Sequence, residues 1–162
     1  MSPNLAAFLQ MLSVSEGTST CPITKDRGYD VIVTGADGNP ELMTTYANHP
    51  FAAGRSPKLV NKRTGLRSTA AGRYQFLVRD WGHYKLKLSL PDFGPDAQDR
   101  WAIQLIKERR ALDDIETGHF VKAVGKVSNL WASLPGANYP GQPMHTMGRL
   151  ESAYEKAGGT FA

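Results

Sequence analysis

An α+β fold, mostly helical with one small antiparallel sheet set early in the chain, is what the sequence predicts. Apolar residues recur at helical spacing in separate segments on both sides of residues 29–46. Between those segments lies a β-branched run that ends in Gly, Asn and Pro and then turns back on itself. Neither repeats nor a low-complexity linker interrupt the 162 residues, a length that suits one domain with a real core, so residues 1–162 are expected to form a single domain.

Helical spacing of Leu5, Phe8, Leu9 and Leu12 predicts a first helix from an N-cap at Asn4 through Ser15, with Glu16 at its end. Gly17-Thr18-Ser19-Thr20 then stops it. Tyr29–Thr34 reads as a strand, Gly35–Pro40 as a turn, and Leu42–Tyr46 as the returning strand. Residues 47–71 carry Pro and Gly with little periodicity and are expected to be a long surface loop. Helix is expected to resume at Gly72-Arg73-Tyr74-Gln75 and to reach Leu88. A further helix follows from Pro95 or Asp96 with Trp101 and Ile106 buried, then a shorter one around Phe120–Val127, and a last one over Met144–Ala157 before Gly158-Gly159. Trp81, Trp101 and Trp131 are expected in the core.

Composition removes several function classes. With 41% apolar and 21% charged residues the chain is neither disordered nor membrane-spanning, and no apolar run approaches the ~18 residues of a span. The first residues lack a basic n-region, so no signal peptide is expected. Cys21 is the one cysteine, which excludes an internal disulfide and leaves a Cys nucleophile without a partner pattern. His49, His83, His119 and His145 are too scattered for a zinc site, so no metal and no cofactor are expected. A net charge of +4 attracts polyanions without choosing among them, and no RNP-like strand or reading helix points to nucleic acid.

Glu16 is the residue with chemistry. A carboxyl at a helix end, desolvated on its apolar side and facing a polar loop, suits a general acid near neutral pH, although such a residue is more often an ordinary solvated glutamate. The basic run Arg55, Lys58, Lys62, Arg63, Arg67, Arg73 and Arg79 meets no acid before Asp80. It reads either as a solvated face or as a patch for an anionic polymer. In the second case neutral residues at Arg55 and Lys58 are expected to weaken binding to that polymer in a salt-dependent way.

The motifs Ser15-Glu16-Gly17-Thr18, Gly28-Tyr29-Asp30-Val31-Ile32-Val33, Tyr46 with His49-Pro50, Ser68–Gln75, Ile106-Lys107-Glu108-Arg109 and Asn129–Gly136 occur in that order. Together they resemble the lambda-type phage endolysins of the lysozyme superfamily. The resemblance implies a lysozyme-like fold whose small hairpin sheet lies beside the active-site cleft. It also implies a peptidoglycan lytic transglycosylase that cleaves between N-acetylmuramic acid and N-acetylglucosamine and leaves 1,6-anhydromuramic ends. Glu16 matches the catalytic position, while Tyr46, Ser68, Tyr74, Gln75, Asn129, Asp30 and Tyr29 match residues expected to touch sugar. Loops at about 49–64 and 134–145, the second with Pro135, Gly136, Pro140, Gly141 and Pro143, would be two moving lips over that cleft.

Two alternatives remain at this point. A hydrolytic muramidase would use Asp26 or Asp30 as its second carboxylate, and a wall-binding module would have lost catalysis. The resemblance further implies a monomer acting on glycan strands without stable membrane association. It would wait in the host cytoplasm until a separate holin releases it to the periplasm.

Overall fold

The computed structural model describes residues 1–137 and 144–162. The chain forms two compact units, one of Met1–Glu16 with Ala102–Ala162 and one of Gly17–Trp101.

The first unit is helical. α1 (Pro3–Ser15) starts one residue pair earlier than expected. Ser2 is the N-cap, its hydroxyl accepting from the Leu5 N–H at 3.1 Å, and Pro3 occupies the first turn, where its missing N–H costs nothing. Asn4 is instead buried. Its amide donates to the Glu116 carbonyl at 3.3 Å and accepts from the N–H and hydroxyl of Thr160 at 2.9 and 3.1 Å, so it ties the C-terminal tail to α1. Gly17, at φ 72°, ends α1 in the left-handed conformation that glycine tolerates.

The second half of α3 (Pro95–Glu108), α4 (Leu112–Glu116), α5 (Phe120–Val127) and α6 (Met147–Lys156) complete this unit. α4 is an addition to the expected set, too short to show a period. α6 begins at Met147 rather than Met144 because the Thr146 hydroxyl supplies the N-cap. Phe8, Phe120 and Tyr154 form an aromatic column in its core, with centroids 5.9 and 4.7 Å apart.

The second unit holds two hairpins. β1 (Val31–Ile32) pairs antiparallel with β2 (Glu41–Leu42), in the register Val31↔Leu42 and Ile32↔Glu41. Both strands are shorter than the expected Tyr29–Thr34 and Leu42–Tyr46. Residues 47–71 are not all loop, since β3 (Lys58–Asn61) pairs with β4 (Leu66–Ser68) across an irregular register. The Asn61 side chain accepts from the N–H groups of Arg63 and Thr64, and Gly65 at φ 71° closes the turn.

Helix does not resume at Gly72. Ala71 and Phe76 bridge one another instead, and α2 (Val78–Lys87) starts six residues later. The reason is local: Gly72 and Gln75 take φ of 81° and 51°, which no α-helix accommodates. Gln98 locks this turn from α3. Its fully buried amide accepts from the Arg73 N–H at 2.7 Å and donates to the carbonyls of Tyr29 and Phe93 at 3.0 and 2.8 Å. Around it, Phe76 stacks on Trp101 at 4.0 Å and His49 lies 4.7 Å from Phe93. Trp81, Trp101 and Trp131 are buried, as expected.

Candidate active site

α1 delivers Glu16 as its C-cap, where the backbone N–H still bonds the Leu12 carbonyl at 2.9 Å. The side chain is half-buried. Burial pushes its carboxyl up from the ordinary range to about 7, against the opposing pull of a hydrogen bond from Ser133. That hydroxyl donates to Glu16 Oε1 at 2.5 Å, and the Ser15 hydroxyl donates to Ser133 Oγ at 2.7 Å. His145 braces the pair, since its backbone N–H bonds the Ser133 carbonyl and its Nε2 lies 2.9 Å from the Ser15 carbonyl. A carboxyl in this setting is half protonated near neutral pH and can give or take a proton.

In the other unit the hydrogen bonds divide the expected sugar-contacting residues into two groups. Tyr74 is fully buried and offers no ring face to a pyranose; its hydroxyl donates to Asp99 Oδ1 at 2.6 Å. Tyr29 donates to the same oxygen at 2.8 Å and packs edge-on against Tyr74, while the Arg73 guanidinium lies 4.8 Å over its ring. Burial and then the Asp99 charge push the Tyr29 phenol up to about 12, so it stays a neutral donor. Asp30 is also buried. Its two oxygens accept from the Thr24 hydroxyl at 2.5 Å and the Lys25 N–H at 2.9 Å, a structural clamp on the loop before β1.

The second group keeps access to solvent. Tyr46 is half-buried and donates to Asp26 Oδ2 at 2.8 Å. Gln75 is half-buried, and its amide donates to the Gly72 carbonyl at 3.0 Å. Ser68 accepts from the Ala70 N–H, and in the first unit Asn129 is exposed and accepts from Arg109 Nε at 3.2 Å.

Arg55 and Lys58 are not free cations. Both pair with Glu41, at 2.5 and 3.0 Å, so the basic run is partly neutralised from β2. Pro140, Gly141 and Pro143 of the second expected lip lie outside the described residues. Ser133 and Ser15 are the residues that sequence reasoning passed over, although both stand inside motifs it had singled out. A serine next to a glutamate in sequence carries no sign of the hydroxyl that reaches it from 117 residues away.

The described elements make a lysozyme-like α+β fold, helical with two small antiparallel hairpins. The family model for endolysins matches residues 6–161. An endolysin of Escherichia phage P2 is 58% identical over 159 residues, 98% of this chain and 95% of that protein. The endolysin of Escherichia phage lambda is 48% identical over 155 residues, 95% of this chain and 90% of that one. A solved structure of bacteriophage lambda lysozyme complexed with a chitohexasaccharide superposes with a TM-score of 0.89 at 45% identity, covering 100% of this chain and 98% of that chain. The chain belongs to the endolysin family, of the lambda and P2 type, and is an enzyme acting on peptidoglycan.

Proposed function

We propose that the enzyme is a lytic transglycosylase, with Glu16 as its single acid and base. Glu16 protonates the glycosidic oxygen between N-acetylmuramic acid and N-acetylglucosamine, and the bond from that oxygen to C1 breaks. The C6 hydroxyl oxygen of the same muramic residue bonds to C1, and its proton passes to the Glu16 carboxylate. Glu16 ends the cycle as it began, no water is consumed, and the product carries a 1,6-anhydro ring.

The observation that carries Glu16 as both acid and base is its setting at the end of α1, where Ser133 donates to one carboxyl oxygen and burial raises the group to about 7, so that it can give and take a proton near neutral pH. Asp30, with both oxygens occupied, is unsuited to activating water. Tyr46, Ser68, Gln75 and Asn129, which keep access to solvent, are the residues we assign to the glycan. The enzyme works as a monomer, without a metal or cofactor, and reaches the periplasm from the host cytoplasm through a holin.

Mass spectrometry of muropeptides released from purified peptidoglycan tests the reaction. Products lighter by one water, without a reducing end, are expected from the unmodified enzyme and from Asp26→Asn, and none from Glu16→Gln. Reducing muramic ends that disappear in Asp26→Asn would make the enzyme a hydrolase with Asp26 as its base.

A further inference from the structure

We propose that Ser133 is the positioning residue of Glu16: its hydroxyl, oriented by that of Ser15, holds Oε1 as an acceptor and leaves Oε2 as the oxygen that carries and delivers the proton. The inference rests on the reading of Glu16 as the general acid.

A serine hydroxyl has one proton to give. Here the Ser133 proton lies toward Glu16 Oε1 at 2.5 Å, and the lone pair behind it accepts from Ser15 at 2.7 Å. Two hydroxyls in series polarise one another and strengthen the terminal bond. Placing the acid proton on Oε1 would require the Ser133 hydroxyl to turn its own proton away from Glu16 and give up that bond, so it is favoured on the other oxygen. The chain is fastened at each end. Ser15 belongs to the last turn of α1 and its carbonyl is 2.9 Å from His145 Nε2, while the Ser133 carbonyl accepts the His145 N–H at 2.9 Å and the next residue, Leu134, is fully buried.

The same bond serves the second half of the reaction. Once Oε2 has given up its proton, Ser133 still donates to the carboxylate, and a charge-assisted hydrogen bond is stronger than the one to the neutral acid. It thereby opposes the upward push of burial on Glu16 and keeps the anion available to take the C6 proton. One hydroxyl thus sets the direction of the acid and limits its basicity.

The test compares Ser133→Ala, Ser133→Thr and Ser15→Ala with the unmodified enzyme. Activity on soluble glycan strands gives kcat, KM and the pH profile, and an NMR titration of the Glu16 side-chain carboxyl, without substrate, gives its midpoint directly. Ser133→Ala is expected to lower kcat on the order of tenfold with KM nearly unchanged. Its high-pH limb and the Glu16 midpoint move upward together by roughly one pH unit, because the lost bond favoured the anion. Threonine restores both, and Ser15→Ala moves both the same way by less.

An unmoved Glu16 midpoint in Ser133→Ala, or a change in KM alone, would overturn the assignment. If Ser133→Ala does not fold, the Ser15→Ala titration decides by the same criterion. Reducing ends from the unmodified enzyme would remove the transglycosylase reading while leaving the titration result standing. Anhydro products with an unmoved midpoint would remove the role of Ser133 alone.

Discussion

Replacing Gln98 with leucine removes one buried amide and strands three backbone groups at once. The side chain is fully buried, and its three hydrogen bonds, of 2.7, 3.0 and 2.8 Å, reach the Arg73 N–H and the carbonyls of Tyr29 and Phe93. Leucine has nearly the same length and volume, so no large cavity forms. Leaving a buried backbone donor or acceptor unsatisfied costs about 1–3 kcal/mol each, and three give roughly 3–9 kcal/mol. Against this, an apolar side chain is cheaper to bury than an amide, which returns on the order of 1–3 kcal/mol. Partial relaxation of the turn at Gly72 reduces the penalty further, and a net loss of about 4 kcal/mol is expected.

Urea unfolding followed by tryptophan fluorescence measures this, because Trp101 lies on the same helix. The midpoint is expected to fall with little change in slope, and Tm to drop by roughly 8–16 °C. A loss under about 1 kcal/mol at unchanged slope would refute the reasoning, since it would mean that water or neighbouring groups replace the amide at no cost. Gly72→Ala attacks the same joint from the other side. Its added Cβ would fall 2.3 Å from Gln98 Oε1, at a φ of 81° that alanine resists.

His49 makes stability depend on pH. Burial lowers its pKa from 6.5, and the neutral ring is engaged at both nitrogens, Nδ1 accepting from the Phe51 N–H and Nε2 donating to the Phe76 carbonyl. The folded state therefore binds this proton less readily than the unfolded chain. Its contribution is complete above the ordinary imidazole range and is lost as the pH falls below it, so the change in unfolding midpoint on going from pH 5 to pH 7 should be less positive in His49→Gln than in the unmodified protein. Glu41→Gln frees Arg55 and Lys58 from their shared carboxylate. Sedimentation with purified sacculi should show binding that is a few-fold tighter at low salt and indistinguishable at high salt; equal binding at low salt would remove this loop from the wall contact.

Long periodic segments were legible because their signal repeats. The apolar face of α1, the start of α3 at Pro95, and the burial of Trp81, Trp101 and Trp131 all follow from residue type and spacing. The second hairpin escaped because β3 and β4 are only four and three residues long and carry Lys and Arg, so neither alternation nor β-branching accumulates. Its one local cue was the Asn61 side chain capping a turn that Gly65 closes. Helix was expected at Gly72–Gln75 from composition, and it fails there because a residue 23 positions after Gln75, Gln98, pays for the unusual backbone with hydrogen bonds.

By itself the sequence determined the helical frame, the position of Glu16 at a helix end, and the motif order that assigns the family. These depend on periodicity and on residues adjacent in the chain. Only the tertiary structure decided which polar side chains face solvent. Tyr74 stands beside Gln75 in one motif, and Tyr29 and Asp30 stand together in another, yet Asp99, Thr24 and Lys25 draw Tyr29, Asp30 and Tyr74 inward because a buried polar group must find a partner. The state of Glu16 was decided in the same way, by burial and by a serine 117 residues away, since desolvation and hydrogen bonding are set by neighbours in space rather than by neighbours in the chain.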